Sequence, residues 1–261
     1  MGSVDIENVF KEYRKLDLSQ SKEDKFLEQC RYVNCTNRLE GNKLTLEQTI
    51  QLLGSGLISG KNIKVRDIYE QRGMFRALNR MIQAINQNEK FSIELVINMH
   101  GSLFEEFWED DVYYFEAKEN KQHNYSLKQV DNLLSIYSPE FGIKKIEPLS
   151  SINDVYENMN KIIHEINSGN GCPIMKGVKL AKFIWLHQSF IDGNKRLGRL
   201  LINYFTMKEG YPLFSYEDIN GKNYNQIMVN DYLTENGDKL FAYVQQRLLL
   251  FMQDCIANNK K

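Results

Sequence analysis

Two apolar runs of helical spacing, residues 178–186 and 200–205, flank a polar stretch, 187–199. Runs this apolar must be buried, so the stretch between them is confined to a tight loop joining two core helices. Within it, Asp192, Gly193 and Asn194 bring turn chemistry and free backbone N–H groups. Lys195 and Arg196 open the next helix, whose N-terminus carries partial positive charge. Arg196 and Arg199 are three apart and project from one helix face. A histidine, His187, a carboxylate and two arginines around a glycine turn suit phosphate chemistry. The bland reading makes His187 a half-buried histidine at a helix end and 192–194 a plain turn. It leaves Arg196 and Arg199 unexplained.

The rest of the chain is mostly of helical period, and four prolines in 261 residues interrupt it little, so the expected class is all-α. Amphipathic helices are expected over 4–33, interrupted near 17–21. Residues 36–42 read as a turn-rich segment in which Thr36 caps a helix N-terminus, placing Glu40 one turn on, and Gly41 stops it. Thr45 and Gln48 have capping-box spacing and start a helix to about Leu53. Helical stripes follow over 65–86 and from Ser92 to about Phe107. Residues 112–115 form a candidate strand, 126–136 a return to helix, and 143–148 a better strand that Pro148 makes an edge or hairpin arm. Helices over 154–166 and from Pro173 to His187 precede the polar stretch, and one to Lys208 follows it. A polar segment, 216–230, leads to a last helix over 239–257.

Lys and Arg number 33 and Asp and Glu 34, a formal net charge of -1 that gives no electrostatic case for nucleic acid or an anionic membrane as partner. The four cysteines form no CxxC pair or disulfide framework, which suits a reducing cytoplasm and argues against a metal-thiolate site. No apolar stretch reaches bilayer length, and the N-terminus lacks a signal-peptide core. The opening residues 1–3 read as a cloning scar, and Ile6 stands where myristoylation wants Ser or Thr. The expectation is a soluble, cytoplasmic protein.

The run Phe190, Ile191, Asp192, Gly193, Asn194, Lys195, Arg196, Leu197, Gly198, Arg199 resembles the signature of the Fic proteins, H-x-F-x-[D/E]-G-N-[G/K]-R-x-x-R. Thr36, Glu40 and Gly41 are similar to the [S/T]-x-x-x-E-[G/N] inhibitory motif that some of these proteins carry before the core. The likeness is strongest over 36–56 and 151–213, thinner over 64–107, and absent from 108–140 and the C-terminal tail. It implies an all-α Fic core with a small β-hairpin flap. The organisation it implies is one compact unit: N-terminal helices over 1–63 holding the inhibitory segment 36–41, a core over 64–215 with an insert at 108–140, and a C-terminal extension, 216–261.

The resemblance implies transfer of AMP from ATP to a Ser, Thr or Tyr hydroxyl of a target protein, which includes the chain itself, and a homo-oligomer among its partners. His187 would be the base and Asp192 would hold Mg²⁺. Gly193, Asn194 and Lys195 would wrap the phosphates, Arg196 would neutralise the transferring group and Arg199 would hold the γ-phosphate. Residues 143–148 resemble the flap that clamps a target by strand addition. The spacing departs from the family at one point, because Gln188 and Ser189 both stand between His187 and Phe190. An extra residue absorbed at the helix end leaves His187 as base; a register counted back from Phe190 puts Gln188 there, and glutamine is no base. Glu40, packed beside the motif, would pair bidentately with Arg199 and exclude the γ-phosphate. Two other functions fit the same residues: removal of AMP from a modified protein, and nucleotide binding without transfer.

Overall fold

The computed structural model describes residues 6–16, 21–110, 112–138, 142–218, 223–233 and 238–259. The readings made for 1–3, and most of the break at 17–21, lie outside them. Among the described residues the elements in order are α1 (Ile6–Tyr13), α2 (Lys22–Arg38), α3 (Leu46–Ser55), α4 (Val65–Asn86), α5 (Ile93–Glu109), α6 (Phe115–Glu119), β1 (Leu134–Ser138), β2 (Gly142–Ile146), α7 (Val155–Ser168), α8 (Pro173–His187), α9 (Asn194–Lys208), α10 (Tyr224–Leu233) and α11 (Lys239–Asn259). The molecule is mostly helical. Its sheet is one antiparallel hairpin, with Leu134 opposite Ile146 and Ser138 opposite Gly142.

The centre is the antiparallel pair α8 and α9, which make the most extensive helix contact. Small residues let them approach. A Cβ on Gly177 would stand 2.7 Å from Ile202 Cα, and one on Gly198 would stand 3.1 Å from Ala181 Cβ. Leu180, Ile184, Leu197, Leu200, Leu201 and Ile202 are buried in this seam. The pair α4 and α5 packs comparably close, and α4 in turn touches α9 and α2. This stack sets α2, α4 and the first turn of α9 side by side, and the site lies between them.

Local chemistry explains the element ends. Thr45 Oγ1 accepts from Gln48 N while Gln48 Oε1 accepts from Thr45 N, the expected capping box, and α3 ends at Gly56 in the left-handed region. Pro173 opens α8 as its first residue.

Four expectations need correction. Thr36 caps no helix N-terminus: α2 continues through it to Arg38, because Asn37 Nδ2 is satisfied by Glu70 O at 3.0 Å and Thr36 is buried against Arg199. Residues 112–115 are no strand; Tyr113 and Tyr114 turn inward onto Phe107 and Trp108. Residues 126–136 are not helical: 134–136 belong to β1, and 126–133 are irregular, with polar groups that bond the signature loop, Lys128 N donating to Ser189 O at 3.0 Å and Asn132 Nδ2 to Phe190 O at 3.2 Å. The polar segment 216–230 contains the start of α10. No helix among the described residues is long and apolar enough to cross a membrane.

Candidate active site

The signature loop is held by its own residues. Helix α8 ends at Gln188, which takes the left-handed conformation (φ 44°). Asn194 then closes the loop as a staple: its Oδ1 accepts from Phe190 N at 3.0 Å and its Nδ2 donates to Phe190 O at 2.8 Å. Gly193 has φ 74°, and a Cβ there would meet Phe104 Cε2 at 2.5 Å, so only glycine fits. This puts the free N–H groups of the α9 N-terminus beside a cavity of about 220 Å³. The cavity is lined by Glu40, Arg66, Glu70, Gln188 and residues 191–196, with Leu134 and Ser135 of β1 at its edge.

Asp192 is aimed from three sides. Its Oδ1 accepts from Gly193 N at 2.5 Å, its Oδ2 from Tyr114 Oη at 2.8 Å, and its carbonyl from His100 Nε2 at 2.9 Å. His100 stacks on Phe190 with centroids 3.8 Å apart. Burial lowers its pKa to about 4, outweighing the nearby Asp192 groups, so the ring is neutral near pH 7 and its Nε2–H donates to the carbonyl. Burial first, then the Asp192 charge, pushes the Tyr114 hydroxyl well above its ordinary range, fixing it as a donor.

The cations divide by depth. Arg199 is fully buried: Nε donates to Thr36 Oγ1 at 2.6 Å, Nη2 to Thr36 O at 3.0 Å and to Glu40 Oε1 at 2.8 Å, and Nη1 to Asn225 Oδ1 at 3.1 Å. Lys195 Nζ lies 2.8 Å from Glu40 Oε2. Glu40 therefore bridges two cations rather than forming the expected bidentate pair with one. Burial alone would raise its pKa, but Arg199 and then Lys195 overcome that and hold the carboxyl at about 2. Arg196 is buried over the Phe104 ring, with Glu70 Oε1 at 3.6 Å and Asp192 Oδ1 at 3.8 Å.

Of the residues singled out by sequence, the structure brings together Thr36, Glu40, Asp192, Gly193, Asn194, Lys195, Arg196 and Arg199. His187 stands apart. Its Nδ1 lies 2.5 Å from Ser150 Oγ, its ring stacks on Phe183, and it does not line the cavity, whereas Gln188 does. The Gln188 amide is satisfied, with Nε2 donating to Trp185 O at 2.5 Å and Oε1 accepting from Asn194 Nδ2 at 3.3 Å. Burial lowers the His187 pKa. Sequence reading missed His100, Tyr114, Glu70 and Asn225. None sits in a local motif, and each reaches the site from an element distant in the chain.

Residues 90–206 match the family model described as Fic/DOC family. The chain carries a Fic/DOC domain. Over 190 residues it is 28% identical to the protein adenylyltransferase fic-1 of Caenorhabditis elegans, an alignment covering 69% of this chain and 32% of that protein. The chain thus spans about a third of the length of that curated relative. Among solved structures, a Fic domain containing signaling protein from Bacteroides thetaiotaomicron superposes with a TM-score of 0.74 at 19% identity, covering 98% of this chain and 96% of that one. A fragment of C. elegans Fic-1 superposes with a TM-score of 0.69 at 21% identity, covering 97% and 68%. These likenesses establish the fold. Glu40, just past the end of α2, and Arg66 and Glu70 of α4 lie before the matched residues 90–206 yet line the cavity.

Proposed function

We propose that the chain is a protein adenylyltransferase held inactive by Glu40, which transfers AMP from Mg-ATP to a hydroxyl side chain of a protein. The observation that carries the inhibited state is the Glu40 carboxylate lying across Arg199 and Lys195 at 2.8 Å each. A negative group there competes with phosphate for the same donors. The remaining cavity, about 220 Å³, lies below the size range of small-ligand pockets, roughly 300–1,000 Å³, as expected of a phosphate site partly filled by a side chain. The Fic domain and the similarity to an adenylyltransferase support the choice of reaction.

In this reading the backbone N–H groups at the start of α9, with Lys195 and Arg196, bind the phosphates near the transferring group, and Arg199 holds the terminal one once Glu40 leaves. Asp192 fits a Mg²⁺ site. Its side chain is 40% exposed toward the cavity, and each oxygen accepts a single hydrogen bond, leaving lone pairs for a cation. Among the described residues no cluster of three or more His, Cys, Asp or Glu could hold a metal alone, so the ion would share Asp192 with phosphate oxygens. Bound there, Mg²⁺ would neutralise charge on the phosphates. The hairpin β1–β2, whose Leu134 and Ser135 edge the cavity, would receive the target segment. With Nδ1 engaged by Ser150, Nε2 is the His187 nitrogen left to take the hydroxyl proton.

One observation favours a second reading: Gln188, not His187, faces the cavity. A nucleotide-binding regulator without transfer would look like this, since a satisfied amide accepts no proton. Intact-mass measurement after incubation with ATP and Mg²⁺ separates the two. Adenylyl transfer predicts a gain of one AMP in Glu40→Gly that disappears in Glu40→Gly/His187→Ala. ATP binding with no mass gain in Glu40→Gly supports the regulator. AMP released from a modified protein by the parent chain would instead identify the removal activity.

A further inference from the structure

One cation of the cavity belongs to no motif. Arg66 stands in the first turn of α4, before the Fic domain and after the segment bearing Glu40, and lines the same cavity as residues 191–196. Its Nε donates to Glu70 Oε1 at 3.2 Å, while the side chain is 56% exposed. Its two terminal nitrogens donate to nothing among the described residues. The other cations are engaged: Lys195 and Arg199 by Glu40, and Arg196 between Glu70 and Asp192.

We propose that Arg66 is a further phosphate-binding residue of this site, offering its terminal N–H groups to a nucleotide phosphate while Nε stays on Glu70. The proposal rests on the nucleotide reading above. A guanidinium has donors on two edges, so one edge can be fixed by a carboxylate while the other meets an anion. Glu70 is suited to the fixing role. It is buried, and its second oxygen is held by Asn42 Nδ2 at 2.8 Å, so it does not swing with Arg66. A plain surface pair four residues apart on a helix would have both members in solvent; here the carboxylate is buried in the wall of an anion cavity.

Arg66 and Glu40 share no partner, so their effects are separable. Arg66 is available whether or not Glu40 sits on Arg199, and the loss on removing it should be the same in both states. The test is calorimetric titration of Mg-ATP into the parent chain, Arg66→Ala, Glu40→Gly and the double variant. Arg66→Ala is expected to weaken ATP binding about five- to tenfold in either background, since a half-exposed charge-assisted bond is worth less than a buried one. That loss should shrink at 0.5 M salt, which screens exposed charge, and Arg66→Lys should recover part of it. Equal ATP affinity of Glu40→Gly with and without Arg66 overturns the proposal. So does a loss that ignores salt and Arg66→Lys and comes with a lowered melting temperature, which marks a structural role. If Glu40→Gly binds no ATP, the nucleotide reading itself fails and takes this proposal with it.

Discussion

Replacing Glu40 by Gln removes one charge while keeping size and shape, and the structure sets the size of the effect. A carboxyl held at about 2 instead of its ordinary 4.5 corresponds to roughly 3 kcal/mol of stabilisation of the charged form. Because the folded pKa is depressed, that contribution is complete above pH 4.5 and is lost as pH falls toward 2. At pH 7.5, Glu40→Gln forgoes most of it. The buried Arg199 keeps Thr36 Oγ1, Thr36 O and Asn225 Oδ1, and the new amide oxygen can still accept from Nη2, so the net loss is expected near 2 kcal/mol. For a chain of this size that is a fall of roughly 4–8 °C in Tm. The vacated cations should then recruit an anion, and Mg-ATP at about a hundred times its Kd restores about 2.7 kcal/mol. Thermal unfolding of parent, Glu40→Gln and the exposed control Glu47→Gln, each with and without Mg-ATP, reads all of this. An unchanged Tm for Glu40→Gln, or equal ATP-induced shifts in parent and variant, would refute the reasoning.

Two further outcomes follow from packing and burial. Gly177→Ala places a Cβ 2.7 Å from Ile202 Cα in the α8–α9 seam, where only backbone can yield, and should cost about 3 kcal/mol, read as a lower urea midpoint; an unchanged midpoint would contradict the close packing. His100 is buried and neutral, with its pKa lowered from 6.5 to about 4. The unfolded chain therefore binds the extra proton between those values, and stability should decline as pH falls from 6.5 to 4, by up to roughly 3 kcal/mol. In His100→Gln that part of the pH–stability curve should flatten, and an unaltered curve would mean that His100 does not titrate as described.

The parts of the molecule that sequence made legible are those where local pattern and tertiary role agree. The apolar period of α8 and α9, the Thr45 capping box, the Pro173 start and the Gly193 turn that opens α9 depend on neighbours in the chain. Segments went astray where polar or aromatic side chains serve distant partners. Thr36 and Asn37 look like turn formers, yet they complete a helix because Arg199 and Glu70 take their hydrogen bonds. The aromatic run at 112–115 suggests a strand, but the Tyr113 and Tyr114 rings pack inward on α5 and Phe115 starts α6. Tyr114 and the strand β1, both within the expected insert, reach the candidate site: one donates to Asp192 and the other lines the cavity. The extra residue after His187 was visible in the spacing. Its consequence, a left-handed Gln188 facing the cavity while His187 is held by Ser150, depends on the geometry of the α8 terminus.

The central claim is that Glu40 occupies the cationic site that a nucleotide's phosphates need. Calorimetric titration of Mg-ATP into the parent chain and into Glu40→Gly, at one salt concentration and pH 7.5, tests it most directly. The account predicts at least tenfold tighter binding by Glu40→Gly, the gain expected when a buried carboxylate no longer competes for Arg199 and Lys195. Equal affinities in the two proteins would contradict it.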